Sequence, residues 1–312
     1  MVGSNKTWVN WAENQSCSPK RFVSPSTEQH LVEAVRSAVK SDLKIKVVGS
    51  GHSFVGAALT DGLLIDLSRY DRITEIDMPN KRITVQAGKK LEDLNRELWR
   101  HGLAMSNLSD IAYQSVAGAI STGTHGTGLG FGCLGTQIVN ARVITGKGEL
   151  IECSPSEKPD LFGAAIVGVG AAGILSTVTL QLEPAFNLHA LEMAMPLDLV
   201  LDSQNEFVQA NEHFEYFFHP DKKMALTKRN NRTEKPGKSL SRLSKWYHEE
   251  VVAGYSQKLT TLARNYFPPL ATYVGHEFLS VAREDYIDRS YAVFTSERKQ
   301  YGCEMEYFIP QE

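Results

Sequence analysis

Apolar positions along the first 185 residues repeat with two different periods, and the switches between them mark the elements. Leu31, Val35, Ala38 and Val39 fall at helical spacing, behind a start signal in which Ser26 caps and Gln29 follows three residues on. Residues 44–48 form a short apolar strand that runs into a glycine turn over residues 49–54, and residues 63–67 give a second strand. Residues 72–77 and 82–87 flank Pro79-Asn80 and predict a hairpin. Leu91, Leu94 and Leu98 make a helical face that stops at Gly102. A second hairpin is predicted where residues 138–145 and 149–153 flank Gly146-Lys147-Gly148. Residues 176–182 alternate as a strand that ends before Pro184. This order is mixed, an α+β unit rather than the strict strand–helix alternation of a doubly wound sheet.

The texture changes after Pro184. Residues 213–219 read as an aromatic strand, and residues 222–229 as its partner. Residues 230–245 are polar and basic around Pro236-Gly237 and read as an exposed loop. A helix is expected over residues 244–265, broken by Pro268-Pro269, and a last strand over residues 304–309. The pattern divides the chain into one domain over residues 1–185 and a second over residues 186–312.

Composition narrows the function classes. The 312 residues are 42% hydrophobic, enough for a folded two-domain core, and the formal net charge of −3 argues against binding nucleic acid by massed positive charge. Cys17, Cys133, Cys153 and Cys303 are scattered and show no zinc spacing, so no metal site is expected. Four reduced thiols suit a reducing compartment such as the cytoplasm. The opening residues lack the basic start and apolar core of a signal peptide. The most apolar run, residues 161–175, is shorter than a bilayer span and holds four glycines. No transmembrane segment is expected, and attachment at a membrane surface stays open.

Two glycine-rich stretches carry the candidate chemistry. In Val47, Val48, Gly49, Ser50, Gly51, His52 and Ser53 a strand enters a turn whose backbone N–H groups can converge on an anion. Alone, this stretch is as well read as an ordinary strand-end turn with a surface histidine. The second stretch, Thr122, Gly123, Thr124, His125, Gly126, Thr127 and Gly128, is alone a loop whose threonines bond the backbone. Two glycine–histidine loops in one domain instead suggest a diphosphate gripped from both sides of a crevice. Gly168-Val169-Gly170-Ala171-Ala172-Gly173 spells the dinucleotide fingerprint, but the order around it is helix then strand, the reverse of what that motif needs. It reads as a tight helix-to-strand connection, one that can still bring backbone against a cofactor.

Residues 47–54, Thr60-Asp61-Gly62, residues 102–128 and residues 170–184 together resemble the FAD-linked oxidoreductases of the vanillyl-alcohol oxidase type, closest to the sugar-lactone and alditol branch. The resemblance implies a two-subdomain FAD-binding domain of the PCMH type followed by an α+β substrate (cap) domain. It implies FAD contacts from Val47 to Ser53, and from Asp110, Ser115, Gly118, Thr122, Gly123, Thr124, His125 and Ile174. In many members the histidine matching His52 is joined covalently to the flavin 8α-methyl. Asp110 departs from the small residue that some members carry. The implied reaction oxidises a hydroxyl-bearing carbon of a sugar lactone or polyol by hydride transfer to flavin N5, with electrons passed to oxygen or another acceptor.

The family's Glu-x-Arg pair and His-Trp-Gly-Lys stretch do not occur in these 312 residues. The cap is therefore expected to be partial, and the alternative reading is an FAD-binding fragment without activity. A partial cap also predicts self-association through the aromatic residues 214–218. No catalytic residue is assigned. Glu304, Glu306 and Lys228 read as solvated strand positions, and His213 and His219 as packing or surface residues.

Overall fold

The computed structural model describes residues 7–218, 220, 223–240, 283–296 and 302–309. The chain opens with a small antiparallel pair, β1 (Trp8–Val9) and β2 (Ser16–Cys17). Then β3 (Arg21–Val23), α1 (Glu28–Lys40), β4 (Ile45–Val48) and β5 (Leu63–Asp66) build a parallel sheet in the order β3-β5-β4. The cap of α1 is Thr27, not Ser26. Thr27 holds the extended backbone a cap needs, and its hydroxyl accepts from the His30 N–H at 3.2 Å. Leu31, Val35 and Ala38 are buried as expected, whereas Val32 takes the inward place and Val39 is half exposed.

The second subdomain runs through β6 (Ile73–Asp77), β7 (Arg82–Gln86), α2 (Leu91–Arg100), β8 (Leu103–Ala104), α3 (Val116–Ser121), β9 (Ile138–Ile144), β10 (Leu150–Cys153), α4 (Pro159–Ala165), β11 (Ile174–Gln181) and β12 (Glu183–Pro184). Five strands form an antiparallel sheet in the order β10-β9-β11-β7-β6, and β8 pairs with β12. Both expected hairpins are present. Their turns use left-handed backbone at Lys81 (φ 52°) and Gly148 (φ 74°). One apolar core joins the subdomains, with Leu31, Leu63 and Ile65 packed among Leu94, Val143 and Val178. Burying each such side chain contributes about 1.5–3 kcal/mol. A polar clamp crosses the same boundary. Arg142 pairs with Glu28 at 2.9 Å, and Ser176 donates to Glu28 at 2.7 Å.

The last part consists of β13 (Asn187–Pro196), α5 (Leu197–Asp202), α6 (Gln204–Ala210), β14 (His213–Phe218), β15 (Met224–Thr233), β16 (Arg283–Arg289) and α7 (Ser290–Phe294). Its antiparallel sheet has the order β14-β15-β13-β16. β14 and β15 pair as the sequence predicted. Two expectations need correction. Residues 230–233 are strand rather than loop, because Asn230 and Asn231 pair with Ala190 and His189 of β13 and Asn231 also bonds Asn211. Residues 304–309 form no strand, since the described residues offer that segment no ladder partner and Met305, Tyr307, Phe308 and Ile309 stay exposed. The expected helix over residues 244–265 and His219 lie outside the described residues.

Candidate functional site

β4 delivers the chain into residues 49–53 with Val48 buried behind it. The outer side of this loop is tied down. The Gly51 carbonyl accepts from the Trp11 N–H at 2.8 Å, and the buried Asn10 amide donates to the Ser53 carbonyl at 3.0 Å. The N–H groups of residues 50–53 find no acceptor among the described residues. Gly51 takes φ +70°, a left-handed conformation that favours glycine. At Gly49 a Cβ would come within 1.9 Å of Ser115 Oγ, so the first loop lies directly against the start of α3.

Ser115 caps α3, its hydroxyl accepting from the Gly118 N–H at 3.2 Å, and Thr122 closes the helix by donating to the Gly118 carbonyl at 2.9 Å. A third wall comes from the connection between α4 and β11. Val167 (φ 60°), Val169 (φ 50°) and Gly170 (φ 75°) all adopt left-handed backbone, and the Val169 N–H donates to the Ser121 carbonyl at 3.1 Å. Branched residues rarely accept that conformation, and such strain gathers at functional sites. The helix-then-strand order confirms that Gly168 to Gly173 is not a dinucleotide fingerprint. Its backbone nevertheless faces the site.

These three walls enclose one cavity of about 540 Å³. Val47, Val48, Gly49, Ser50, Gly51, His52, Ser53, Ser115, Gly118, Thr122 and Ile174 all line it. Asp110, Gly123, Thr124 and His125 do not. Thr124 stands behind the wall, its hydroxyl accepting from the lining Gln114 amide at 3.1 Å. Gly123 follows at φ +71°, and its N–H donates to the Ile120 carbonyl. The ring nitrogens of His125 lie 2.8 Å from the Gly126 carbonyl and 2.8 Å from Glu306. Asp110 accepts from the Ser296 hydroxyl at 2.7 Å.

His52 sits between two aromatic rings, Trp11 at 4.9 Å and Tyr113 at 6.2 Å between centroids. Burial, helped by the nearby Lys90 ammonium, holds its pKa below the usual histidine value. The imidazole is therefore neutral at pH 7 and keeps a lone pair for nucleophilic attack. Trp11 and Tyr113 were missed by sequence reasoning, and no local pattern marks them. The lining combines donors suited to an anionic group with apolar wall suited to a flat ring. Free N–H groups and the Ser53, Ser121 and Thr122 hydroxyls sit among the lining residues, with Val35, Ile45, Leu67, Ile144 and Leu175 as apolar wall.

Residues 19–154 match the FAD binding domain family, and residues 178–312 match the D-arabinono-1,4-lactone oxidase family. The L-gulono-1,4-lactone dehydrogenase of Mycobacterium tuberculosis is 36% identical over 306 residues, which cover 98% of this chain and 71% of that protein. The chain belongs to the FAD-linked sugar-lactone oxidoreductase family. Bovine L-gulonolactone oxidase is 31% identical over 306 residues, which cover 97% of this chain and 69% of that protein. The chain spans about half, 52%, of the D-arabinono-1,4-lactone oxidase of Saccharomyces cerevisiae, at 31% identity. Among solved structures, cholesterol oxidase from Brevibacterium sterolicum superposes with a TM-score of 0.76 at 17% identity, over 89% of this chain and 58% of that one. That likeness establishes the shared α+β fold. This member of the sugar-lactone oxidoreductase family thus binds FAD through its first part. Among the described residues, no helix is long and apolar enough to cross a membrane.

Proposed function

We propose that this chain oxidises the hydroxyl-bearing carbon of a sugar lactone or polyol. The observation that carries the reading is the convergence of residues 49–53, α3 and residues 169–174 on one cavity beside a neutral His52. When bound, FAD supplies the hydride acceptor and passes the electrons to oxygen or another carrier. The residues of the chain bind and orient. The N–H groups of residues 50–53 hold the diphosphate, with Ser115, Gly118, Thr122 and Ile174 across the cleft. His52 is the attachment point for a covalent bond to the cofactor ring. Gly123, Thr124 and His125 support the wall from behind, and Asp110 steadies the segment that carries Tyr113. We assign residues 1–185 to FAD and residues 186–312 to covering the substrate.

Four free thiols support a cytoplasmic setting, with any membrane attachment at the surface. Among the described residues β14 is the edge of its sheet and leaves Phe217 and Phe218 half exposed, which makes it the surface for self-association.

Purified protein should be yellow, and the colour should stay with the denatured chain but leave it in His52→Ala. Under anaerobic conditions L-gulono-1,4-lactone, D-arabinono-1,4-lactone or an alditol should bleach it. Comparing oxygen uptake with dye reduction then identifies the acceptor. A colourless protein that takes up no FAD would sink the reading.

A further inference from the structure

The four strands of the cap sheet each contribute one charged residue at the same register. Glu215 of β14 stands opposite Lys228 of β15, Lys228 opposite Glu192 of β13, and Glu192 opposite Glu284 of β16. Directly opposed residues in antiparallel strands share a face. The result is a straight row of carboxylate, ammonium, carboxylate, carboxylate. Lys228 Nζ lies 3.7 Å from Glu215 and 5.4 Å from the Phe217 ring centroid.

The two faces of this sheet differ. Phe214 stacks on Phe207 of α6 at 5.2 Å, so α6 covers the face that Phe214 shares with Tyr216. His213 and Glu215 point the other way. His213 Nδ1 lies 2.8 Å from the Thr127 carbonyl, and its ring stacks on Phe131 at 4.7 Å. The charged row is therefore turned toward the FAD-binding domain. The Lys228 side chain is only 20% exposed, so it is not the solvated position its sequence suggested. The segment opposite carries Asp110 and Tyr113, and Tyr113 stands on His52. Burial pushes the Glu215 carboxyl up. Lys228 pulls it back, and Asp110 and Glu192 add to the rise.

The neighbouring row on the same face is His213, Asn230, Ala190 and Tyr286. Burial first, then Glu192, Glu284 and Asp288, raise the Tyr286 pKa and keep its phenol protonated as a donor. His213 is 1% exposed, and its Nε2 has no hydrogen-bond partner among the described residues. Buried polar atoms of this kind are rare unless a ligand or water meets them.

We propose that Glu215, Lys228, Glu192 and Glu284, with Tyr286 beside them, form the subsite for the substrate's hydroxyl groups, taking a neutral polyhydroxylated ring and rejecting its ring-opened carboxylate. The inference rests on the lactone-oxidising reading and names the part of the chain that selects the substrate. Carboxylates accept hydrogen bonds from sugar hydroxyls, while Lys228 and Tyr286 donate to ring and carbonyl oxygens. Three carboxylates against one ammonium leave the row net negative. Hydrolysis of a lactone adds water and yields a carboxylate, which would meet like charge in a partly desolvated site. The row thus discriminates the closed lactone from the aldonate of the same sugar.

The test uses flavin-loaded wild type, Glu192→Gln, Glu284→Gln and Lys228→Met. Binding of L-gulono-1,4-lactone and of L-gulonate is followed by calorimetry, and flavin reduction by anaerobic stopped flow. Both Gln variants should keep the flavin spectrum, weaken lactone binding about tenfold and narrow the lactone-over-gulonate preference. Lys228→Met should weaken lactone binding and sharpen the rejection of gulonate. Unchanged affinity and preference in both Gln variants, beside a wild type that lactone reduces, would overturn the subsite and leave the enzymatic reading standing. A wild type that neither binds nor is bleached by any lactone would overturn both.

Discussion

The cofactor-binding part and the cap part of the chain solve opposite problems with the same material. In the first, two sheets share one apolar core, and a cavity of about 540 Å³ opens where glycine-rich backbone replaces side chains. In the second, a single sheet carries a charged row on the face turned inward, while α6 covers the other face through Phe207 and Phe214. The first grips with main-chain groups, which are fixed in number and direction. The second presents side chains, which can be changed one at a time. A cofactor common to a family suits the first arrangement, and a substrate that varies among relatives suits the second.

The contrast breaks most readily at Gly49. A Cβ there would meet Ser115 Oγ at 1.9 Å, so Gly49→Ala should force the two loops apart. Loss of about 1–3 kcal/mol in urea unfolding is expected, together with loss of flavin from the purified protein. Removing core instead of cradle, Leu94→Ala should cost about 2–5 kcal/mol in the same unfolding assay while a flavin titration of the folded fraction stays near wild type. Equal flavin loss in both variants would show that the cradle has no special role.

Acid should act on both parts through one histidine each. The pKa of His52 and of His213 is lowered, in both cases chiefly by burial. Each therefore takes up a proton more readily in the unfolded chain. Their contribution to stability is complete above the ordinary histidine pKa of about 6.5 and falls as pH drops below it toward the folded values. Melting temperature measured against pH should decline in that window. His213→Phe should flatten part of the decline, and a profile identical to wild type would contradict the assignment. The smallest effect is expected at the sheet edge. Phe217→Ser should change stability by no more than about 0.5 kcal/mol while reducing self-association in light scattering.

Legibility in the sequence follows the same division. The hairpins β6–β7 and β9–β10 were readable because alternation and turn residues agree over short distances. The strand β13 was not. Leu188 and Ala190 face the core while Leu191, Met193 and Met195 occupy the other face, so apolar residues on both sides erase the alternation. The end of β15 hid for the reverse reason, because Asn231 donates to the Asn211 side chain and accepts from the Glu212 N–H inside the fold. The family resemblance supplied Ser115, Gly118 and Ile174, while glycine spacing disclosed residues 47–53 and Thr122 as parts of one site. It could not disclose Trp11 and Tyr113, which reach His52 only through tertiary packing. The charged row of the cap was equally invisible, since four strands must be in register before it exists.

The turn through Val167 and Val169 has a mechanical meaning. Two branched side chains are held in a backbone shape made for glycine, at a cost of about 1–3 kcal/mol each. Such a turn behaves as a cocked spring in the wall of the cavity. Gly170 and Ala172 line the cavity beside it, so an occupant pressed against them should brace the turn. The pace of amide exchange at residues 167–170 then becomes a built-in gauge of whether the protein is loaded.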